Sequence, residues 1–267
     1  MKRTILAFLI LVIAAGTVFA GDITMSGSTT VFPIAQLAAE RFMENNEDIN
    51  ISVRGGGSGV GITDIMLGRV DIGNASRSIK TKELKQAKEN GINIVETVVA
   101  NDGIAIVINP SNGINELTLE QAKKIFTGEI SNWKQLGGKS MPIVAISRDV
   151  SSGTFEVFKE LVLRGGKVRE DALLLASNNA VASNVAETPG AIGYIGFGFL
   201  SDKIKALKID NVEPSEKTVN DGTYKIARKL YMYTNGSPKG EVKSFIDFIL
   251  SEDGQEIVKE TGYIPLK

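Results

Sequence analysis

The chain contains no histidine and no cysteine. Disulfides, thiolate nucleophiles and cysteine-ligated zinc are therefore excluded. So are a Ser-His-Asp triad and any mechanism with imidazole as base. No other nucleophile–base pair stands out and no cofactor or metal pattern appears, so the expectation is a protein without a catalytic residue and not an enzyme. A charge excess is also missing, with 30 basic residues against 31 acidic ones. Nonspecific nucleic-acid binding needs a basic surplus to displace counterions, so no nucleic-acid partner is expected. A small anion stays open as a ligand, because a few local donors outweigh a weak global charge. Hydrophobic residues make up 43% and charged residues 23% of the 267 positions, which is ordinary for a globular chain. Internal repeats, low-complexity tracts and proline-rich linkers are absent.

The N-terminus carries an export pattern. Lys2 and Arg3 form a short positive region, Ile5 to Ala15 is almost wholly apolar, and Val18-Phe19-Ala20 offers small residues at the positions that specify cleavage. The alternative is a membrane anchor, but the apolar run is shorter than the roughly 20 residues a span needs. The expectation is a signal peptide over residues 1–20 and a periplasmic or otherwise extracytoplasmic protein beginning at Gly21. Cleavage would remove two positive charges and leave 28 basic residues against 31 acidic ones.

Beyond Ala20, short apolar runs alternate with amphipathic stretches. Residues 23–25, 49–53 and 70–73 read as strands, and 32–44, 59–67 and 82–88 as helices. Residues 94–99 and 104–108 are rich in β-branched side chains. A second series starts near Pro110, with helices over 118–126 and 155–163 and strands over 143–146 and 191–199. A strand over 230–233 and helices over 241–250 and 253–259 close the chain. Repeated strand–helix units predict an α/β fold with a largely parallel sheet.

Three segments share one design, with small hydroxyl residues and glycine placed before a predicted helix. They are Ser26-Gly27-Ser28-Thr29-Thr30, Gly55-Gly56-Gly57-Ser58-Gly59 and Ser151-Ser152-Gly153-Thr154. A helix N-terminus offers unpaired N–H groups and partial positive charge, glycine admits a ligand close to the backbone, and Ser or Thr adds hydroxyl donors. Any one such loop is equally an ordinary helix cap. Three of them, two following predicted strands, point to convergence on a small anion, since strand carboxyl ends in open α/β sheets face the ligand crevice. Arg148 lies just before the third loop, and its guanidinium fork matches two oxygens of a tetrahedral oxyanion. The alternative for Arg148 is a surface residue paired with Asp149. Nucleotide motifs fit poorly. Gly138-Lys139-Ser140 has Trp133 where a P-loop needs its first glycine, and Gly57 and Gly59 would need glycine where Ile62 stands. Ser131-Asn132-Trp133-Lys134 matches S-x-x-K by chance.

The chain resembles the phosphate-binding proteins of Pst-type ABC phosphate importers over essentially its whole length after Ala20. The resemblance is carried by residues 26–34 and 55–61, Asp71-Ile72-Gly73-Asn74-Ala75-Ser76-Arg77, residues 126–133, residues 147–154 and Thr188-Pro189-Gly190-Ala191-Ile192-Gly193-Tyr194. It implies the type II periplasmic-binding-protein fold, in which two α/β lobes close on a ligand and the C-terminal helices return to the first lobe. The crossings are expected near Asn109 and Ile226, giving residues 21–109 plus 227–267 as lobe 1 and 110–226 as lobe 2. The implied phosphate ligands are Ser28, Thr29, Thr30, Ser58, Ser76, Arg148, Ser152, Gly153 and Thr154. The implied partners are inorganic phosphate and the membrane permease of an ABC importer, with the receptor acting as a monomer. One position departs from the family. Well-known members carry an aspartate that accepts the phosphate proton and repels sulfate where this chain has Ser76, followed by Arg77. The alternative for Ser76-Arg77 is a helix-entry loop that touches no ligand. Asp71 and Asp149 are the nearby carboxylates.

Overall fold

The computed structural model describes residues 21–266, so the expected signal peptide lies outside the described residues. The first series runs β1 (Gly21–Gly27), α1 (Phe32–Glu44), β2 (Ile49–Arg54), α2 (Ser58–Met66), β3 (Ile72–Ala75), α3 (Thr81–Glu89) and β4 (Ile94–Ile108). The second comprises β5 (Glu116–Leu117), α4 (Leu119–Thr127), β6 (Val144–Arg148), α5 (Gly153–Leu161), β7 (Leu173–Leu175), α6 (Asn178–Glu187), β8 (Ala191–Gly196), β9 (Lys205–Ala206), β10 (Lys208–Ile209) and α7 (Glu216–Asn220). The chain closes with β11 (Ala227–Asn235), α8 (Gly240–Leu250) and α9 (Glu252–Glu260). Among the described residues no helix is long and apolar enough to cross a membrane.

The main sheet has the order β2-β1-β3-β11-β4-β8-β6-β7. It is mixed rather than largely parallel. Strand–helix repeats make β1, β2 and β3 parallel neighbours, and likewise β6, β7 and β8. The antiparallel pairings all involve β4 or β11, the strands that join the two halves. The two β-rich stretches expected over 94–99 and 104–108 are one continuous strand. Its residues up to Gly103 pair with β11, and from Ile104 onward it pairs with β8. Gly103 sits at that switch because a Cβ there would lie 2.2 Å from the Phe197 ring. Asn109, where a crossing was expected, ends β4 with its Nδ2 donating to the carbonyls of Val185 and Ala186. At the second crossing Ile104 N donates to Ile226 O at 2.8 Å, which ties the two connecting strands together.

Each half has its own core. In the first lobe the apolar face of α1 (Ile34, Ala35, Ala38, Phe42) packs with Ile23 and Met25 of β1. Phe245 and Ile249 of α8 and Ile257 and Val258 of α9 belong to this same core. In the second lobe Phe158 stacks flat on Tyr194, centroids 3.8 Å apart, and Phe126 meets both rings edge-on. That stack has a consequence at the sheet's end: the Tyr194 hydroxyl lies 2.7 Å from Ser147 Oγ and accepts a hydrogen bond from Arg148 N at 3.1 Å. Burial pushes the Tyr194 phenol up to about 12, so it stays protonated. Phe158→Ala should destabilise the protein by about 3–5 kcal/mol, the usual cost of emptying a buried aromatic site. Urea denaturation checks this, and a loss below about 1 kcal/mol would mean that the stack does not hold the second lobe together.

Candidate functional site

The three hydroxyl–glycine loops meet in space. Gly57 N donates to Gly27 O at 2.8 Å, joining the first loop to the second, and Gly59 N donates to Ser151 O at 2.9 Å, joining the second to the third. Ser151 Oγ in turn lies 3.0 Å from Gly56 O. These last contacts cross from one lobe to the other, so the lobes are closed on each other. Gly57 is bound to be glycine on two counts. Its φ is 95°, in the region L side chains avoid, and a Cβ would lie 2.6 Å from Ser151 Oγ.

The structure places the expected site residues as one cluster, with different duties. Ser28 Oγ accepts from the amides of Thr30 and Val31, which shapes the turn into α1. Ser152 caps α5 by accepting from Phe155 N at 3.1 Å, so for its oxygen the ordinary-cap alternative holds. The amides of Gly153 and Thr154 open that helix and have no partner within it. A Cβ on Gly153 would lie 2.2 Å from Ser58 Oγ and 2.8 Å from Ser76 Oγ, which shows how tightly the lobes meet. Ser58 Oγ accepts from Ser76 N at 2.9 Å and lies 3.2 Å from Ser76 Oγ. Thr30 Oγ1 and Thr154 Oγ1 face each other across the lobes at 3.1 Å.

Arg148 is 1% exposed, which rules out the reading of a surface residue paired with Asp149. Its Nε donates to Leu175 O at 3.0 Å, and its Nη2 donates to Ala176 O at 2.8 Å and Thr29 Oγ1 at 3.2 Å. Its Nη1 is buried with no partner among the described residues. Desolvation lowers the guanidinium to about 10, with Asp149 and Tyr194 opposing that shift and Arg228 adding to it. A buried cation with an unpaired donor at three converging loops is what an anion would satisfy.

Three participants were not anticipated. Asn178 opens α6, donating through Nδ2 to Thr30 Oγ1 at 3.0 Å and Thr29 Oγ1 at 3.3 Å. The sequence signal for it is Ser177, which caps α6 by accepting from Ala180 N at 3.1 Å ahead of a helix-compatible stretch to Glu187. Arg228 and Asp102 form an ion pair at 2.8 Å, with side chains 4% and 0% exposed. An aspartate between the β-rich stretches 94–99 and 104–108 was the available signal, because a carboxylate buried there demands a cation. Burial pushes the Asp102 carboxyl upward, while Arg228 and the Phe197 amide pull it back. Neither carboxylate weighed from the sequence faces the cluster. Asp71 binds Thr24 at the opposite end of β3, and Asp149 Oδ1 is taken by the amide and hydroxyl of Ser151.

Arg77 does not join the hydroxyls. It forks onto Glu83 with two bonds of 2.8 Å, and its Nε lies 3.1 Å from Glu156 of α5 across the lobe boundary. Lys80 pairs with the same Glu156. A cleft of about 460 Å³ opens beside this network. Two first-lobe cations on one second-lobe carboxylate form a latch on the closed arrangement. Glu156→Gln should lower the thermal midpoint by roughly 2–4 °C at low ionic strength, corresponding to about 1 kcal/mol. The difference should shrink at high salt. Equal midpoints at low salt would mean that the latch contributes nothing.

Comparison with known proteins places this geometry in context. The model of the PBP superfamily domain matches residues 14–253. The phosphate-binding protein PstS of Bacillus subtilis is 42% identical over 248 residues, covering 92% of this chain and 81% of the relative. PstS of Borreliella burgdorferi is 34% identical over 257 residues, covering 92% of this chain and 90% of the relative. Among solved structures, a phosphate-bound substrate-binding protein from Clostridium perfringens, described as belonging to a phosphate ABC transporter, aligns with a TM-score of 0.86 at 38% identity. It covers 92% of this chain and 100% of that one. An ABC-type phosphate transport receptor from Vibrio cholerae aligns with a TM-score of 0.75 at 32% identity, over 91% of this chain and 99% of that one.

Proposed function

The chain belongs to the PBP superfamily and, within it, to the family of the PstS phosphate-binding proteins, and we propose that it is an extracytoplasmic receptor that captures inorganic phosphate between its lobes and delivers it to the membrane permease of an ABC importer. The observation that carries this reading is the buried Arg148 guanidinium with its unpaired Nη1 at the meeting point of three helix-opening loops. Phosphate oxygens would accept from Arg148, from the amides of Gly153 and Thr154, and from the hydroxyls of Thr29, Ser58, Ser76 and Thr154, with Thr30 set behind Thr154 at 3.1 Å. Ser28 and Ser152 hold the loops in shape beneath them. Donors come from both lobes, so binding favours the closed state over the open one. The lobes meet where β4 changes partner at Gly103 and where the chain returns at Ile226. Both halves of the site lie in one chain, which suits a monomer, and the pattern ending at Ala20 suits export. The relatives are binding proteins of transport systems, and the cluster offers hydroxyls without a base to activate them, which suits a receptor rather than an enzyme.

A receptor for another tetrahedral oxyanion, such as sulfate, molybdate or tungstate, is the second reading. Ser76 favours it, since no free carboxylate stands there to accept a phosphate proton. Calorimetric titration separates the contributions within the site. Arg148→Met keeps the side-chain bulk and removes the charge, and it should weaken phosphate binding about ten- to a hundredfold, as expected for charge-assisted bonds. Ser58→Ala should cost about tenfold or less, the scale of a neutral bond. If Arg148→Met folds and binds phosphate like the wild type, the anion does not sit at this cluster.

A further inference from the structure

Hydrogen-bond counting around Arg228 gives the hydroxyls of the cluster a direction. A guanidinium has five N–H donors and no acceptor, so every oxygen it touches must accept. Arg228 Nε donates to Asp102 Oδ2 at 2.9 Å, and Nη2 lies 2.8 Å from the same oxygen. Nη2 also donates to Thr30 Oγ1 at 3.2 Å, and Nη1 donates to Thr154 Oγ1 at 3.0 Å and to Ser76 Oγ at 3.2 Å. Nη1 further lies 3.3 Å from Ser76 O. With its donors all committed, Arg228 acts through its neighbours.

Those commitments propagate. Thr30 Oγ1 accepts from both Arg228 and Asn178, which fills its two lone pairs. In the 3.1 Å contact with Thr154, Thr30 must therefore be the donor. Thr154 Oγ1 then accepts from Arg228 and from Thr30, and its own hydrogen is left to point outward. Thr29 Oγ1 is filled in the same way by Arg148 and Asn178. The chain of partners runs from Asp102 on the strand that joins the lobes, through Arg228 at the returning crossing, to Thr30 and Ser76 of the first lobe and Thr154 of the second. It is complete only when the lobes are closed.

We propose that Arg228, anchored by Asp102, is a positioning residue that turns the hydroxyls of Thr154 and its neighbours into obligate donors on closure, so that the receptor selects dibasic over monobasic phosphate. This rests on the phosphate reading above and adds the ligand's ionisation state to it. A donor-lined site disfavours each ligand proton it must accommodate, and monobasic phosphate brings two where dibasic brings one. In place of the family's aspartate at Ser76, the chain supplies a hydroxyl that is itself loaded by Arg228. The charged and titratable groups that face Arg228 are Asp102 on β4, Arg148 on β6 and Tyr263 after α9, with the Arg77, Glu83 and Glu156 network beyond Ser76. No histidine is among them, because the chain has none.

The test is calorimetric titration with inorganic phosphate between about pH 6 and about pH 8, the range over which a phosphate takes its second charge. Wild-type affinity for total phosphate should rise across that range in step with the dibasic fraction. Arg228→Lys keeps a charge against Asp102, but with one of its three donors spent there it cannot also load the hydroxyls of Thr30, Ser76 and Thr154. It should bind about ten- to a hundredfold more weakly at the upper pH and show a flatter pH profile, since the freed hydroxyls can turn to accept a proton. Thr154→Val leaves the ion pair untouched and should show a similar loss, while Thr154→Ser should keep wild-type behaviour. A pH-independent wild type, or Arg228→Lys or Thr154→Val with the wild-type profile, overturns the proposal while leaving phosphate capture intact. A wild type that binds no phosphate at all would instead sink the receptor reading beneath it.

Discussion

The buried guanidinium of Arg148 is the constraint on which the rest of the closed structure turns. Moving a cation out of water is costly unless its donors are satisfied. Here the protein satisfies Nε and Nη2 with two backbone carbonyls and a threonine hydroxyl, and leaves Nη1 unpaired. The second-lobe core serves this arrangement directly. Phe126 and Phe158 fix Tyr194, whose hydroxyl holds the Ser147–Arg148 strand end. An anion at Nη1 would complete the set, and in the proposed reading it would also meet the helix-opening amides and hydroxyls of both lobes.

Architecture explains why one small ligand can bring two lobes together. β4 pairs with the first-lobe strand β11 over one half and with the second-lobe strand β8 over the other, so a single extended strand belongs to both halves of the sheet. Asp102 sits at that change of partner and Arg228 lies opposite it on β11, in register. The buried pair is therefore at the change of partner itself, while its outer donors reach the hydroxyls of Thr30, Ser76 and Thr154. Farther out, Glu156 reaches Arg77 and Lys80 over the boundary. Site and latch thus lie outward from the buried pair, and each draws members from both lobes.

Much of this was legible in the sequence, because the loops that open α1, α2 and α5 carry their chemistry locally. Glycine where φ is positive and hydroxyls where helices begin are demands of the backbone, and they show in sequence whether or not the partner is known. The strand–helix alternation likewise revealed the α/β class. What sequence could not reveal was pairing over distance. Residues 94–99 and 104–108 looked like two strands because Asn101-Asp102-Gly103 interrupts the apolar run, yet the backbone passes straight through and Gly103 is there to admit Phe197. Asn178 was hidden because α6 is rich in Ala and Asn and has a weak apolar stripe. Arg228 was hidden because its partners lie 126, 152, 74 and 198 positions away in the chain.

The account claims that an anion held by donors from both lobes is what stabilises the closed form. Small-angle scattering of the desalted protein, with and without saturating phosphate, tests this most directly. The radius of gyration should fall on adding phosphate, as an open population shifts to the closed arrangement described here. An unchanged radius at saturation would contradict capture between the lobes.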